Sequence, residues 1–161
     1  MVTNFPLRKP TAVAALCAAA ALLTACSVPL DVESAENAND PRCADMMVVL
    51  PDELAGHSQR PTNSQATSAW GDPSHVVLRC GVPIPGPTTD PCVSVNGVDW
   101  VAREGDPAWT LTTYGREPAT EVLFDPTAVA SSTVLAELAA AAGRIPADRE
   151  CTSVDQDLEL P

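Results

Sequence analysis

Lysine is almost absent from this chain: Lys9 is its single instance in 161 residues. Tyrosine occurs once, phenylalanine and histidine twice each, and aromatic residues make up 4% of the sequence. No Gly-x-Ser-x-Gly turn, Gly-rich phosphate loop or Cys-x-x-Cys pair occurs. His57 and His75 stand apart from any motif, so neither a zinc site nor a hydrolytic triad is indicated. The 21 acidic residues make any carboxylate pair uninformative about glycoside chemistry. The sequence therefore indicates no catalytic residues, no metal and no cofactor, and the chain is expected not to be an enzyme. A net charge of −12 argues against nucleic acid and anionic head groups as partners.

What is there begins with an address. Arg8 and Lys9 precede an apolar run from Thr11 to Leu23. Thirteen residues suit the core of an export signal and are too few to cross a bilayer of about 30 Å. Leu23-Thr24-Ala25-Cys26 follows and matches a bacterial lipobox. The large Leu23 argues against ordinary signal cleavage. The expectation is residues 1–25 as signal, lipid on Cys26, and a protein held at the outer face of the cell membrane. Losing Arg8 and Lys9 would leave seven arginines against 21 acids, a net charge of −14 over 136 residues. Residues 26–40 read as a mobile acidic tether, and residues 41–161 as one domain.

Cys43, Cys80, Cys92 and Cys151 remain after the signal and the anchor, and an even count in an exported chain reads as two disulfides. Cys80 and Cys92 bracket a loop with four prolines, so bridging its neck is the simplest closure. That pairing leaves Cys43 to join Cys151.

Asp40-Pro41 opens a helix as cap and first turn. Cys43, Met47, Leu50 and Leu54 share one helical face; Pro51 predicts a kink and Gly56 a stop. Residues 58–69 are polar and read as a surface loop. Alternation then marks strands through His75–Val82, on both sides of the tight turn at Asn96-Gly97, through Trp109–Tyr114, and around Thr120–Phe124. A helix from Ser131 to Ala142 buries Val134, Leu138, Ala141 and Ile145. The fold expected is α+β: an antiparallel sheet of about four strands packed by an N-terminal and a C-terminal helix, with two disulfides.

Cys43 with Leu50-Pro51, Trp70-Gly71-Asp72-Pro73, Val77-Leu78-Arg79-Cys80-Gly81-Val82-Pro83, Asn96-Gly97-Val98-Asp99-Trp100 and Thr113-Tyr114-Gly115-Arg116 follow one another in a set order. In that order they resemble an actinobacterial family catalogued as domain of unknown function 3515, from about Cys43 to Ala142. The resemblance implies an exported, often lipid-anchored protein of mycobacteria and their relatives. It implies no activity and transfers no site residues.

Trp70, Arg79, Tyr114 and Arg116 are the candidate binding patch, because aromatics and arginine are enriched where proteins recognise partners. Trp70, at the end of a polar stretch, is the first choice for a surface role. Arg116 is the choice for holding an anionic group. The expected function is non-catalytic binding or assembly in the envelope, with the membrane as partner through Cys26 and an envelope protein as a second. A carrier with a cavity between sheet and helices is the alternative, and a hydrolase a more distant one.

Overall fold

The structure is a computed structural model describing residues 28–152; the signal, the lipobox and Cys26 lie outside the described residues. Asp40 caps helix α1 (Pro41–Met47), its carboxylate accepting from the Arg42 backbone N–H at 2.9 Å. The helix does not run on toward Gly56. The ring of Pro51 excludes a helical carbonyl four residues back, and that residue is Met47, where α1 stops. In so short a helix Cys43 and Met46 form the buried face, and Met47 is only half-buried. Helix α2 (Ser131–Ala142) stands where its apolar period placed it, with Val134, Leu138, Ala141 and the following Ile145 all buried.

The sheet corrects the expectation of about four strands. It has eight: β1 (Glu53–Leu54), β2 (His57–Arg60), β3 (Thr67–Trp70), β4 (Val76–Val82), β5 (Cys92–Val95), β6 (Val98–Arg103), β7 (Trp109–Thr113) and β8 (Ala119–Phe124). All pairs are antiparallel in the order β1-β2-β3-β4-β8-β7-β6-β5. The described residues are thus mostly sheet with two short helices. β1 falls where the sequence reading carried the N-terminal helix on to Gly56, and β2 and β3 draw on the stretch that hydropathy reads as loop. Thr67 and Ser68 are buried there because their hydroxyls are satisfied. Thr67 Oγ1 donates to the Ser64 carbonyl at 2.7 Å, and Ser68 Oγ accepts from Gln59 Nε2 at 2.7 Å.

Two four-stranded meanders meet where β4 pairs with β8. Between them residues 83–91 carry the chain from β4 to the far edge strand β5, four strand positions away. At about 4.8 Å per position that is about 19 Å. A disulfide needs Cα atoms within about 7 Å, so the proline-rich segment is a crossover whose ends cannot be bridged. The cysteines pair instead as Cys43–Cys80 and Cys92–Cys151, with Cα separations of 5.8 and 6.0 Å. The first ties α1 to β4 inside the core; the second ties the C-terminal segment to edge strand β5.

Both helices cover one face of the sheet. Trp70, Trp100, Leu78, Val122 and Leu138 are all at most 1% exposed in the core between them. The opposite face is crossed by the two ends of the described chain. Residues 28–39, the described part of the expected tether, run against the sheet as a strap. Leu30 bridges Thr62, Val32 N–H donates to Asn63 Oδ1 at 3.0 Å, and Asn37 N–H donates to the Gly81 carbonyl at 3.0 Å. Leu30 and Val32 alternate with Asp31 and Glu33, the two-residue period of a strand, and Val32 is buried. Gly81, at φ +95°, lets this strap cross β4, because a Cβ there would collide with the Asn37 carbonyl. Gly115, at φ +70°, does the same for the C-terminal segment, whose Arg149 carbonyl occupies the space of a Cβ.

Candidate functional site

Alternation sends Val77 and Arg79 of β4, and Glu121 and Leu123 of β8, to the helix-free face, where the register pairs Val77 with Leu123 and Arg79 with Glu121. All four are half-buried. The strap runs along one side of them at Leu30–Glu33, and Pro107 and Ala108 of the β6–β7 loop form part of the other wall. The groove between encloses about 510 Å³ and is lined mainly by apolar side chains. That size is within the range of small-ligand and peptide-side-chain pockets.

Its polar and charged residues are Asp31, Glu33, Ser74, His75, Arg79 and Asp125. Arg79 Nε and Nη2 reach Glu121 Oε1 at 2.9 and 2.5 Å, so its charge is compensated across the strand pair. Asp31, Glu33 and Asp125 also line the groove. Hydrogen bonds from the side chain and backbone of Thr127 hold the Asp125 carboxyl below the usual carboxylate range. His75 lines the groove as well, and its ring packs 4.6 Å from that of His57 at a 46° tilt. The groove therefore offers an apolar floor with an acidic surround.

A second concavity, about 370 Å³, lies beneath the C-terminal segment. Tyr114, Arg116, Asp99, Arg149 and Glu150 line it, and the Cys92–Cys151 disulfide closes one side. A third, about 530 Å³, opens on the helix side between α2 and the β5–β7 strands, lined in part by Val93, Trp109, Leu111 and Leu135.

The structure does not assemble the candidate patch read from the sequence. Trp70 is fully buried and its indole Nε1–H donates to the Pro51 carbonyl at 3.0 Å, so it is core. The stretch before it is polar yet forms β3, and a tryptophan in a strand buried on both faces has no surface to present. Arg79 lines the strap groove; Tyr114 and Arg116 share the second concavity. His75, Val77 and Leu123 in the groove, and Asp99 and Arg149 beside Arg116, were not singled out. The two-residue period of β4 and β8 is the signal that turns Val77 and Leu123 away from the helices. Nothing in the sequence signalled that the strap would wall them in.

Among the described residues no group of three or more His, Cys, Asp or Glu side chains is placed to hold a metal ion, and no helix is long and apolar enough to cross a membrane. The model of a family described as protein of unknown function (DUF3515) matches residues 10–150. No curated protein and no solved structure matches the chain.

Proposed function

We propose that this chain, which belongs to the DUF3515 family of unknown function, is a lipid-anchored protein of the outer face of the cell membrane that works by binding. The site is the strap groove, and the occupant is an apolar segment of an envelope protein flanked by basic residues. The observation that carries this reading is the groove itself: an apolar floor at Val77 and Leu123, with Asp31, Glu33 and Asp125 around it. Apolar burial supplies affinity, and the carboxylates select cationic flanks. A chain that would carry −14 once shortened favours the same partner charge.

The lipobox at Leu23–Cys26 supports the anchored location. Leu30, in the groove wall, is four residues from Cys26. At 3.3–3.6 Å per extended residue, the leash would hold that wall within about 14 Å of the lipidated sulfur. The groove would then work close to the bilayer, where a partner's juxtamembrane segment is within reach.

The test is a titration of the protein with a hexapeptide of alternating leucine and valine flanked by lysines, and with its glutamate-flanked counterpart. Amide resonances of Val77, Leu123 and His75 are expected to shift saturably with the first and not the second. Equal responses to both peptides, or none to either, would refute the reading. The carrier alternative keeps one observation in its favour, the apolar concavity beside α2. It predicts co-purifying lipid in an organic extract of the native protein.

A further inference from the structure

Arg116 follows the turn out of β7, and its side chain is shut in by the β5–β6 turn and the C-terminal segment. The residue is 6% exposed. Its Nη1–H donates to the Ile145 carbonyl, and its Nη2–H donates to the Gly97 carbonyl at 2.9 Å. Its Nε–H is buried with no acceptor among the described residues. None of the ion pairs among the described residues includes it. Burial lowers its pKa, and the nearby Asp99 carboxylate, which is not hydrogen-bonded to it, offsets this only in part. A buried charge of this kind is costly unless an opposite charge meets it. Two carbonyl dipoles orient the group, and no carboxylate among the described residues meets it in an ion pair.

The cavity beside it has the right chemistry to supply the missing partner. Arg149 lines the rim, with its guanidinium carbon 5.7 Å from the Tyr114 ring centroid. Asp99 and Glu150 also line the cavity. Asp99 is the nearby charge that acts on Arg116, and its Oδ2 accepts from the Cys151 N–H at 2.6 Å. Arg149 is also ion-paired to Asp148 at 3.5 Å, so the two cations around this cavity of about 370 Å³ face three carboxylates and leave no excess positive charge when it is empty. Such a site favours a small, singly charged anion over a polyanion. The Cys92–Cys151 disulfide holds the roof in place, so little ordering is needed when a ligand enters.

We infer that the cavity under the C-terminal segment is a binding site for a monovalent carboxylate, with Arg116 as its buried clamp and Arg149 as its outer contact. This is independent of the strap groove, which lies on other strands.

The probe is sodium acetate, titrated at constant ionic strength against chloride, with inorganic phosphate in parallel. The readout is the Arg116 Nε–H resonance. A saturable shift with acetate, weaker with phosphate, is expected. Arg149→Gln should weaken acetate by up to about fivefold, the range of an exposed ion pair. Asp99→Asn should tighten it, since it removes the carboxylate that competes for Arg116 while keeping an acceptor for Cys151. Neither variant touches the strap groove, so peptide binding there should be unchanged. Asp155, Asp157 and Glu159 lie outside the described residues and could supply the same carboxylate chemistry. A variant with all three neutralised separates the sources. Unchanged acetate affinity assigns the site to an external ligand, and tighter acetate binding assigns it to the chain's own C-terminal acids. A resonance that stays fixed to about 100 mM acetate in both proteins, or that moves identically in Arg149→Gln and Asp99→Asn, overturns the site; that ceiling corresponds to binding weaker than about 1.4 kcal/mol.

Discussion

Removing the Cys43–Cys80 bridge with Cys43→Ala and Cys80→Ala is expected to cost about 4 kcal/mol, because it joins residues 37 apart in sequence. The loop-entropy estimate lies near 3 kcal/mol for a closed loop of about 15 residues and rises slowly with length. Residues 28–152 would unfold with an entropy of about 0.26 kcal/mol/K at about 2.1 cal/mol/K per residue. The loss in melting temperature is then about 15 °C, read by circular dichroism. Whether Cys80 and Cys92 close the proline-rich neck on itself is read by tryptic mapping without reduction. Trypsin cuts after Arg42, Arg79, Arg103 and Arg149, and the Arg60-Pro61 bond resists it. Cys43–Cys80 with Cys92–Cys151 links three peptides, 43–79, 80–103 and the one beginning at Glu150, into one species. The neck-closing pairing leaves 80–103 looped on itself and separate. Recovery of that free looped peptide, or a variant melting within about 3 °C of the parent, would refute the crossover reasoning.

Three further outcomes follow from the same geometry. Trp70→Ala should cost about 3–5 kcal/mol in urea denaturation, as a buried tryptophan does, and a change near zero would put Trp70 back on the surface. Gly81→Ala should destabilise by more than about 1 kcal/mol and lift the strap, because the new Cβ meets Asn37 at a positive φ. Faster cleavage after Glu33 and Glu36 by a glutamate-specific protease would report that lifting, and an unchanged rate would count against it. Arg42 holds the Asp40 carboxyl below its usual range, Arg103 holds Asp90 there, and Thr127 holds Asp125 there. Native pKa values below the unfolded ones give stability that is complete above the carboxylate range and lost as pH falls through the native values. The melting temperature should therefore hold from neutral pH to about 5 and fall below about 4. A rise on acidification would contradict these contacts.

Local chemistry made parts of this fold legible. Asp40-Pro41 and the apolar period of α2 wrote both helix starts, and Asn96-Gly97 wrote the β5–β6 turn, with φ of 50° and 78°. Among the later strands β4 and β8 alternate buried and half-buried residues along most of their length. β1 was hidden because Leu54 continues the helical period, β2 because it buries no residue, and β3 because its buried residues are Thr67, Ser68, Ala69 and Trp70, whose polar members find partners only once the sheet exists. The crossover was hidden for a related reason. Strand order is a non-local property, and a proline-rich loop between two cysteines looks the same whether its ends meet or stand four strands apart. Of the candidate patch, Arg79, Tyr114 and Arg116 line concavities, although not a common one. Composition suggested an anion for Arg116, and only the folded chain showed the residue buried outside any ion pair among the described residues.

The most direct test of the proposed groove is photo-crosslinking in intact cells with benzoylphenylalanine at position 123. A control at Ser132, exposed on α2 at the opposite face, carries the same group. The account predicts a discrete protein adduct from position 123 and none from 132. That adduct should weaken when Asp31 and Glu33 are changed to Asn and Gln, and should leave the membrane fraction with Cys26→Ser. Equal labelling from both positions, or an adduct indifferent to both the acidic surround and Cys26, would contradict a membrane-held groove that binds a partner.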